Sequence, residues 1–97
     1  MASSVEYLTY VLDLLREVDG ITYKKMMGEF LLYKDGVLFG GVYDDRFLVK
    51  KTPSLQDFDL SEELPYEGAK PMLVVDSDDA EEVKEIVLKV CSAISKR

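Results

Sequence analysis

The sequence predicts an α+β fold of two layers, α-β(4-5)-α, in which an antiparallel meander sheet is covered on one face by the two terminal helices. Three observations lead to this prediction. Alternating apolar runs in the middle of the chain are separated by short turn signals, and amphipathic helical patterns lie at both ends. The apolar runs also follow each other directly, so neighbouring strands are expected to pair in sequence order. Residues 1–97 are long enough to form a single domain with its own core.

The central stretch, residues 26–51, carries the hairpin signals. Asp35-Gly36 between apolar runs favours a type I′ turn, which needs positive φ at both central residues. Asp44-Asp45 favours the same turn less strongly, since aspartate tolerates the left-handed region only moderately. The pattern therefore predicts three antiparallel strands, at Glu29–Lys34, Val37–Tyr43 and Arg46–Lys51.

Helical patterns lie at the two ends of the chain. A helix is predicted over Ser4–Asp19, because apolar residues recur there at three- and four-residue steps and Gly20 follows as an end signal. Ser3 and Glu6 have the spacing of a capping box. A second helix is predicted over Asp78–Ser95, and the acidic residues at its start suit the helix dipole.

The remaining segments complete the predicted sheet. A short edge strand is predicted over Ile21–Met27, with a bend or bulge leading into the next strand. Residues 54–71 are polar and acidic and predict a long connection with one helical turn near Ser54–Phe58. A short buried strand is predicted at Met72–Val75.

The predicted register gives the meander two apolar faces. Two-residue turns place Leu32 opposite Phe39, and the face expected under the helices then consists of Leu31, Tyr33, Leu38, Gly40, Val42, Phe47 and Val49. The other face is apolar with a charged rim, whereas a solvated antiparallel face normally alternates to polar residues. Because the two helices cover only one face, we expect a protein partner or a second copy of the chain on the other. The predicted interface consists of Phe30, Leu32, Phe39, Tyr43 and Leu48.

Two glycines, Gly40 and Gly41, lie in the middle of a predicted strand, where glycine lowers stability. One interpretation is a bulge or the close approach of a helix. The other is that the missing side chains leave room for a ligand or partner on the sheet. The sequence does not decide between them.

Composition argues against several chemistries. The chain has no histidine, which removes Ser-His-Asp triads, Cys-His pairs and most zinc sites. Cys91 lies on the apolar stripe of the second helix and is interpreted as a small buried hydrophobe. The acidic residues between Asp76 and Glu82 do not fit a calcium loop, because Glu81 occupies the position that requires glycine. We therefore expect no catalytic residues, no metal site and no cofactor.

The overall charge bears on partners and location. A net charge of −7 disfavours direct nucleic-acid binding, since neutralised phosphates supply most non-specific affinity. The start of the chain lacks the basic region of a signal peptide, and no apolar run could cross a bilayer. A cytoplasmic protein without membrane contact is the expectation.

The same central stretch resembles the N-terminal domain of the TfoX/Sxy family. That family typically shows a basic residue, Met-Phe-Gly-Gly, an apolar run, Asp-Gly, a Phe-rich strand, a second turn and a strand ending in lysine. The matching positions are Lys25, Met26, Gly28, Tyr33, Asp35, Gly36, Phe39, Asp45, Leu48 and Lys50. Met27 replaces the usual Phe, and Glu29 replaces the second Gly.

The resemblance implies the two-layer fold and an association with competence and transcription regulation in bacteria. Family members usually carry a second, C-terminal domain, which this sequence is expected to lack, leaving a stand-alone N-terminal module. Our leading hypothesis is a non-enzymatic protein-interaction module. The alternative is a small-ligand-binding protein or enzyme, with a cleft between the 54–71 connection and the sheet that is lined by Tyr33, Lys50, Lys51 and Tyr66.

Overall fold

The computed structural model describes residues 5–65 and 67–95, which form an antiparallel sheet with both helices packed on one face. The helices are α1 (Val5–Leu14) and α2 (Ala80–Ser95). The strands are β1 (Ile21–Met26), β2 (Glu29–Lys34), β3 (Val37–Val42), β4 (Phe47–Lys50), β5 (Glu62–Glu63) and β6 (Met72–Val74). They lie in the order β1-β2-β3-β4-β6-β5. The α+β prediction is confirmed, with six strands instead of four or five.

Three consecutive two-residue turns connect the first four strands. Both central residues have positive φ in each turn, as a type I′ turn requires: Met27-Gly28, Asp35-Gly36 and Asp44-Asp45. The second and third turns were predicted. The first was predicted as a bend or bulge, which is wrong, because the two strands pair directly up to Met26 and Glu29.

The turn residue Met27 has a φ of 53°, in the left-handed region that a methionine adopts only at a cost. Its side chain is 96% exposed. We therefore expect Met27→Asn to raise the free energy of unfolding by about 0.5–1 kcal/mol, measured by urea denaturation. Met26→Asn is the matched control, because it makes the same change on an extended strand and should lower stability.

The end of α1 and the start of α2 differ from the predicted ones, whereas α2 ends at Ser95 as predicted. Helix α1 ends at Leu14 instead of Asp19, because the chain tightens there into turns in which the Val18 amide donates to the carbonyl of Leu15 at 2.9 Å. The predicted capping box at Ser3 lies outside the described residues. Helix α2 begins at Ala80, and Asp79 caps it by accepting a hydrogen bond from the Glu81 amide at 3.0 Å.

The connection between β4 and β6 is more ordered than predicted. Its helical turn is a 3₁₀ turn at Pro53–Leu55, and Leu55 is buried in the core. The two-residue strand β5 was not predicted, and it pairs with the outer edge of β6. The Val74 amide extends this pairing by donating to the Ser61 carbonyl at 2.8 Å.

A β-bulge in β3 decides which residues face the helices. Leu32 pairs with Gly40 and Tyr33 pairs with Leu38, so Phe39 is an extra residue on β3. Relative to an unbulged register, the side chains from Gly40 onward therefore lie on the opposite face, whereas those before the bulge keep theirs. The core cluster under the helices includes Phe30, Leu32, Phe39, Val42, Phe47 and Val49. Each of the two predicted sheet faces combines residues from both observed faces. The predicted assignment of residues to the face under the helices is therefore wrong.

Gly40 allows this bulge to pack against β4. A Cβ added at Gly40 would collide with the carbonyl oxygen of Leu48 and would lie 2.9 Å from the Cα of Val49. The bulge of the first interpretation is therefore confirmed, whereas the element that approaches Gly40 is strand β4 and not a helix.

Candidate functional site

The sheet face opposite the helices, called the open face below, is mostly apolar. Its central row runs across four strands through Leu31, Gly41, Leu48 and Val74. By register, its side chains are those of Thr22, Lys24, Met26, Glu29, Leu31, Tyr33, Leu38, Tyr43, Leu48, Lys50, Glu63, Met72 and Val74. No helix of the described chain packs on this face.

The ring of Tyr43 lies on the second glycine of the pair. A Cβ added at Gly41 would be 2.8 Å from Cε2 of the Tyr43 ring and 2.6 Å from the carbonyl oxygen of Phe30. Leu48 pairs with Gly41 and is completely buried, although it lies outside the core cluster under the helices. Gly41 therefore lets an aromatic side chain of the same molecule pack on the sheet.

The predicted interface is divided between the two faces. Tyr43 and Leu48 belong to the open face. Phe30, Leu32 and Phe39 are buried in the core under the helices, because the bulge places them on the same face as Val42, Phe47 and Val49. These three residues therefore do not form an exposed surface, and their assignment to one is wrong.

The exposed apolar surface of the open face is concentrated at one corner, which we call the methionine corner: Met26, Met27, Leu31 and Tyr43. These residues, with Glu29, line a depression of about 520 Å³. Met27 is 96% exposed and Met26 is 45% exposed. The Glu29 carboxylate accepts a hydrogen bond from the Asp44 amide at 3.1 Å, which ties the two neighbouring turns together.

A second depression, called the cleft below, lies between the other end of the open face and a wall formed by Pro65 and residues 69–71. Its volume is about 460 Å³. The lining residues are Leu38, Gly40, Tyr43, Lys50, Lys51, Pro65, Ala69, Lys70, Pro71 and Met72. Lys50 and Lys51 thus line the cleft that the sequence predicted here, whereas Tyr33 does not. Tyr66 lies outside the described residues.

Ion pairs hold the outer wall of the cleft against the sheet. The Arg46 guanidinium pairs with Glu63 and also donates to the Leu64 carbonyl at 3.2 Å. Lys51 pairs with Glu62 on the same short strand. Sequence reasoning missed Arg46 and Lys70, because neither the partners of Arg46 nor the path of the segment that carries Lys70 is encoded in a local pattern.

Comparison with known proteins agrees with this architecture. Residues 13–89 match the model of the TfoX N-terminal domain. The chain belongs to this family. It is also similar to an uncharacterized 12.7 kDa protein in the trpE 5′ region of Spirochaeta aurantia, with 33% identity over 78 residues that cover 78% of this chain and 68% of the relative. Both the methionine corner and the cleft lie within the part that matches the TfoX N-terminal domain.

The remaining reactive groups of this TfoX N-terminal domain offer little chemistry. Cys91 is buried, and burial raises the pKa of its thiol, which disfavours the reactive thiolate. The interpretation of Cys91 as a buried hydrophobe is confirmed. Within residues 5–65 and 67–95, His, Cys, Asp and Glu form no group of three or more that could hold a metal ion. Neither described helix is long and apolar enough to cross a membrane.

Proposed function

We propose that this TfoX N-terminal domain is a non-enzymatic protein-interaction module that docks a protein partner on the methionine corner. The observation that supports this most directly is Met27, which is almost fully exposed at the tip of a turn. By analogy with the competence regulators after which the family is named, the proposed partner is a protein of transcription regulation in the cytoplasm.

Met27 is unfavourable for the isolated domain in two ways. Its backbone adopts the left-handed region, where asparagine, aspartate or glycine would be less strained. Its apolar side chain is left in water next to the half-exposed Met26. Burial in a partner would recover the hydrophobic contribution of both side chains, and methionine is suited to this because its flexible thioether adapts to different surfaces.

The surroundings of the methionine corner resemble an interface rim. Lys24 lies on the open face beside Leu31 and is exposed. Glu29 and the exposed turn residue Asp44 border the corner on the other side. An apolar centre with charged residues of both signs at its edge is the usual organisation of a protein–protein interface.

The proposal predicts a specific cross-link in the native cell. A photo-reactive phenylalanine analogue introduced at Lys24 should yield one discrete protein adduct, because this position borders the methionine corner. The same analogue at Leu88, an exposed position of α2, should yield none. Adding Met27→Asn, which we expect to stabilise the fold, should reduce the Lys24 adduct by about tenfold or more through loss of the buried methionine.

The adduct mass, read by mass spectrometry, identifies the class of partner. Twice the mass of the chain indicates a second copy, and any other discrete mass indicates a different protein. Equal adducts at both positions, no adduct at Lys24, or an adduct that Met27→Asn leaves unchanged would each contradict docking at this corner.

A second candidate function is small-ligand binding in the cleft. It is favoured by a specific observation, namely that Lys50, Lys51 and Lys70 converge on a depression with otherwise largely apolar walls. This function does not exclude the first, because the methionine corner and the cleft share only Tyr43.

A further inference from the structure

We infer that the cleft selects a small organic anion, in which a phosphate or carboxylate group is joined to an apolar or aromatic body. This inference deepens the second candidate function and rests on it. It specifies the chemical class of ligand and the lysines that recognise its charge.

Positive charge is concentrated in the cleft of a protein whose net charge is −7. Three of the ten lining residues are lysines, and none carries a carboxylate. Lys51 is paired with Glu62. Within the part of the chain that the structure describes, Lys50 and Lys70 have no ion-pair partner. An anion bound in the cleft would accept charge-assisted hydrogen bonds from these ammonium groups.

The rest of the lining favours an anion with an organic body over a bare ion. Leu38, Met72, Pro65 and Pro71 contribute apolar surface, and the Tyr43 ring contributes an aromatic one. A volume of about 460 Å³ accommodates a small organic molecule. A ring or short alkyl chain would displace water from these walls, which inorganic phosphate could not do.

The cleft is formed by anchored elements on both sides. Lys50 pairs with Met72 in the β4–β6 ladder, which fixes the inner wall. The outer wall follows β5, which is fastened to the sheet by Arg46 through Glu63 and the Leu64 carbonyl. Two prolines, Pro65 and Pro71, further restrict this segment. A preformed site avoids part of the entropic cost of ordering side chains on binding.

Three ligands with the same ring test the inference: phenyl phosphate, benzoate and benzyl alcohol, each titrated into the ¹⁵N-labelled protein. We expect amide shifts to cluster at residues 38, 50–51 and 69–72. Affinity should fall from phenyl phosphate to benzoate to benzyl alcohol, by about tenfold or more between the first and the last. Raising the salt concentration should weaken the two anions and leave the neutral ligand unchanged.

Lysine variants identify the groups that bind the charge. Lys50→Gln and Lys70→Gln should each weaken phenyl phosphate several-fold and leave benzyl alcohol unchanged, whereas Lys24→Gln on β1 should change neither. Phenyl phosphate bound no better than benzyl alcohol would overturn the anion class but keep the cleft as a ligand site. Shifts scattered over surface lysines, equal weakening by Lys24→Gln, or no shift in the cleft would overturn the site itself.

Discussion

Phe39→Ala is expected to lower the free energy of unfolding by about 3–5 kcal/mol, a large part of the stability of a domain of this size. Phe39 is completely buried in the core cluster, although it lies at the bulge between β2 and β3. Removing its ring leaves a cavity between the sheet and the helices that the surrounding side chains fill only partly. Urea denaturation followed by circular dichroism measures the change.

The adjacent substitution Leu38→Ala is the matched control. Leu38 lies on the open face and is only partly buried, so its truncation should lower stability by less than about 1.5 kcal/mol. The two variants distinguish the two registers directly. In the unbulged register predicted from the sequence, Leu38 would lie under the helices with Val42 and Val49, and Phe39 would lie on the outer face, so the order of the two effects would be reversed. A larger loss in Leu38→Ala would show that the bulge is absent.

The sequence was informative wherever structure depends on neighbouring residues. The turn at Asp35-Gly36 follows from the left-handed preference of these two residues, and strand β2 has the predicted bounds of Glu29–Lys34. The turn at Asp44-Asp45 was predicted on the same principle, although aspartate is a weaker signal than glycine. Turn chemistry is local, and these two turns could therefore be predicted from the residues that form them.

The sequence indicated a bulge only as one of two interpretations of Gly40 and Gly41, because β3 has no alternation that would fix its register. Val37–Val42 contains only apolar residues and glycine, so either parity presents an acceptable surface to the core. The choice depends on the backbone of β4, which approaches Gly40 too closely for a side chain. This contact joins residues that are distant in sequence, and the pair of glycines was its only visible signal.

Only part of the candidate site was predicted, because the rest depends on contacts between residues that are distant in sequence. Lys50 and Lys51 were assigned to a cleft because they end a strand that precedes a long connection, which is a feature of chain order. Lys70 was missed because the return path of that connection depends on β5 and on the ion pair between Arg46 and Glu63. The methionine corner was missed because Met27-Gly28 carries a weak turn signal, methionine being an unusual residue for positive φ.

Gly40→Ala is expected to lower the free energy of unfolding by about 3 kcal/mol, because the added methyl group has no free space. It would collide with the carbonyl oxygen of Leu48 and lie 2.9 Å from the Cα of Val49, and both atoms belong to backbone that cannot rotate away. Strand β4 would have to move from β3. Since Lys50 ends β4 and Gly40 itself lines the cleft, the affinity for phenyl phosphate should fall with stability.

Gly36→Ala separates this steric effect from backbone strain. Gly36 has a φ of +83° and no heavy atom within 4 Å of an added Cβ, so alanine there should lower stability by only about 1 kcal/mol. Asparagine, which tolerates positive φ, should recover much of this loss at Gly36 and none of it at Gly40. If Gly40→Ala proved as mild as Gly36→Ala, β4 would not approach β3 this closely, and the inward position of Phe39 would lose its structural basis.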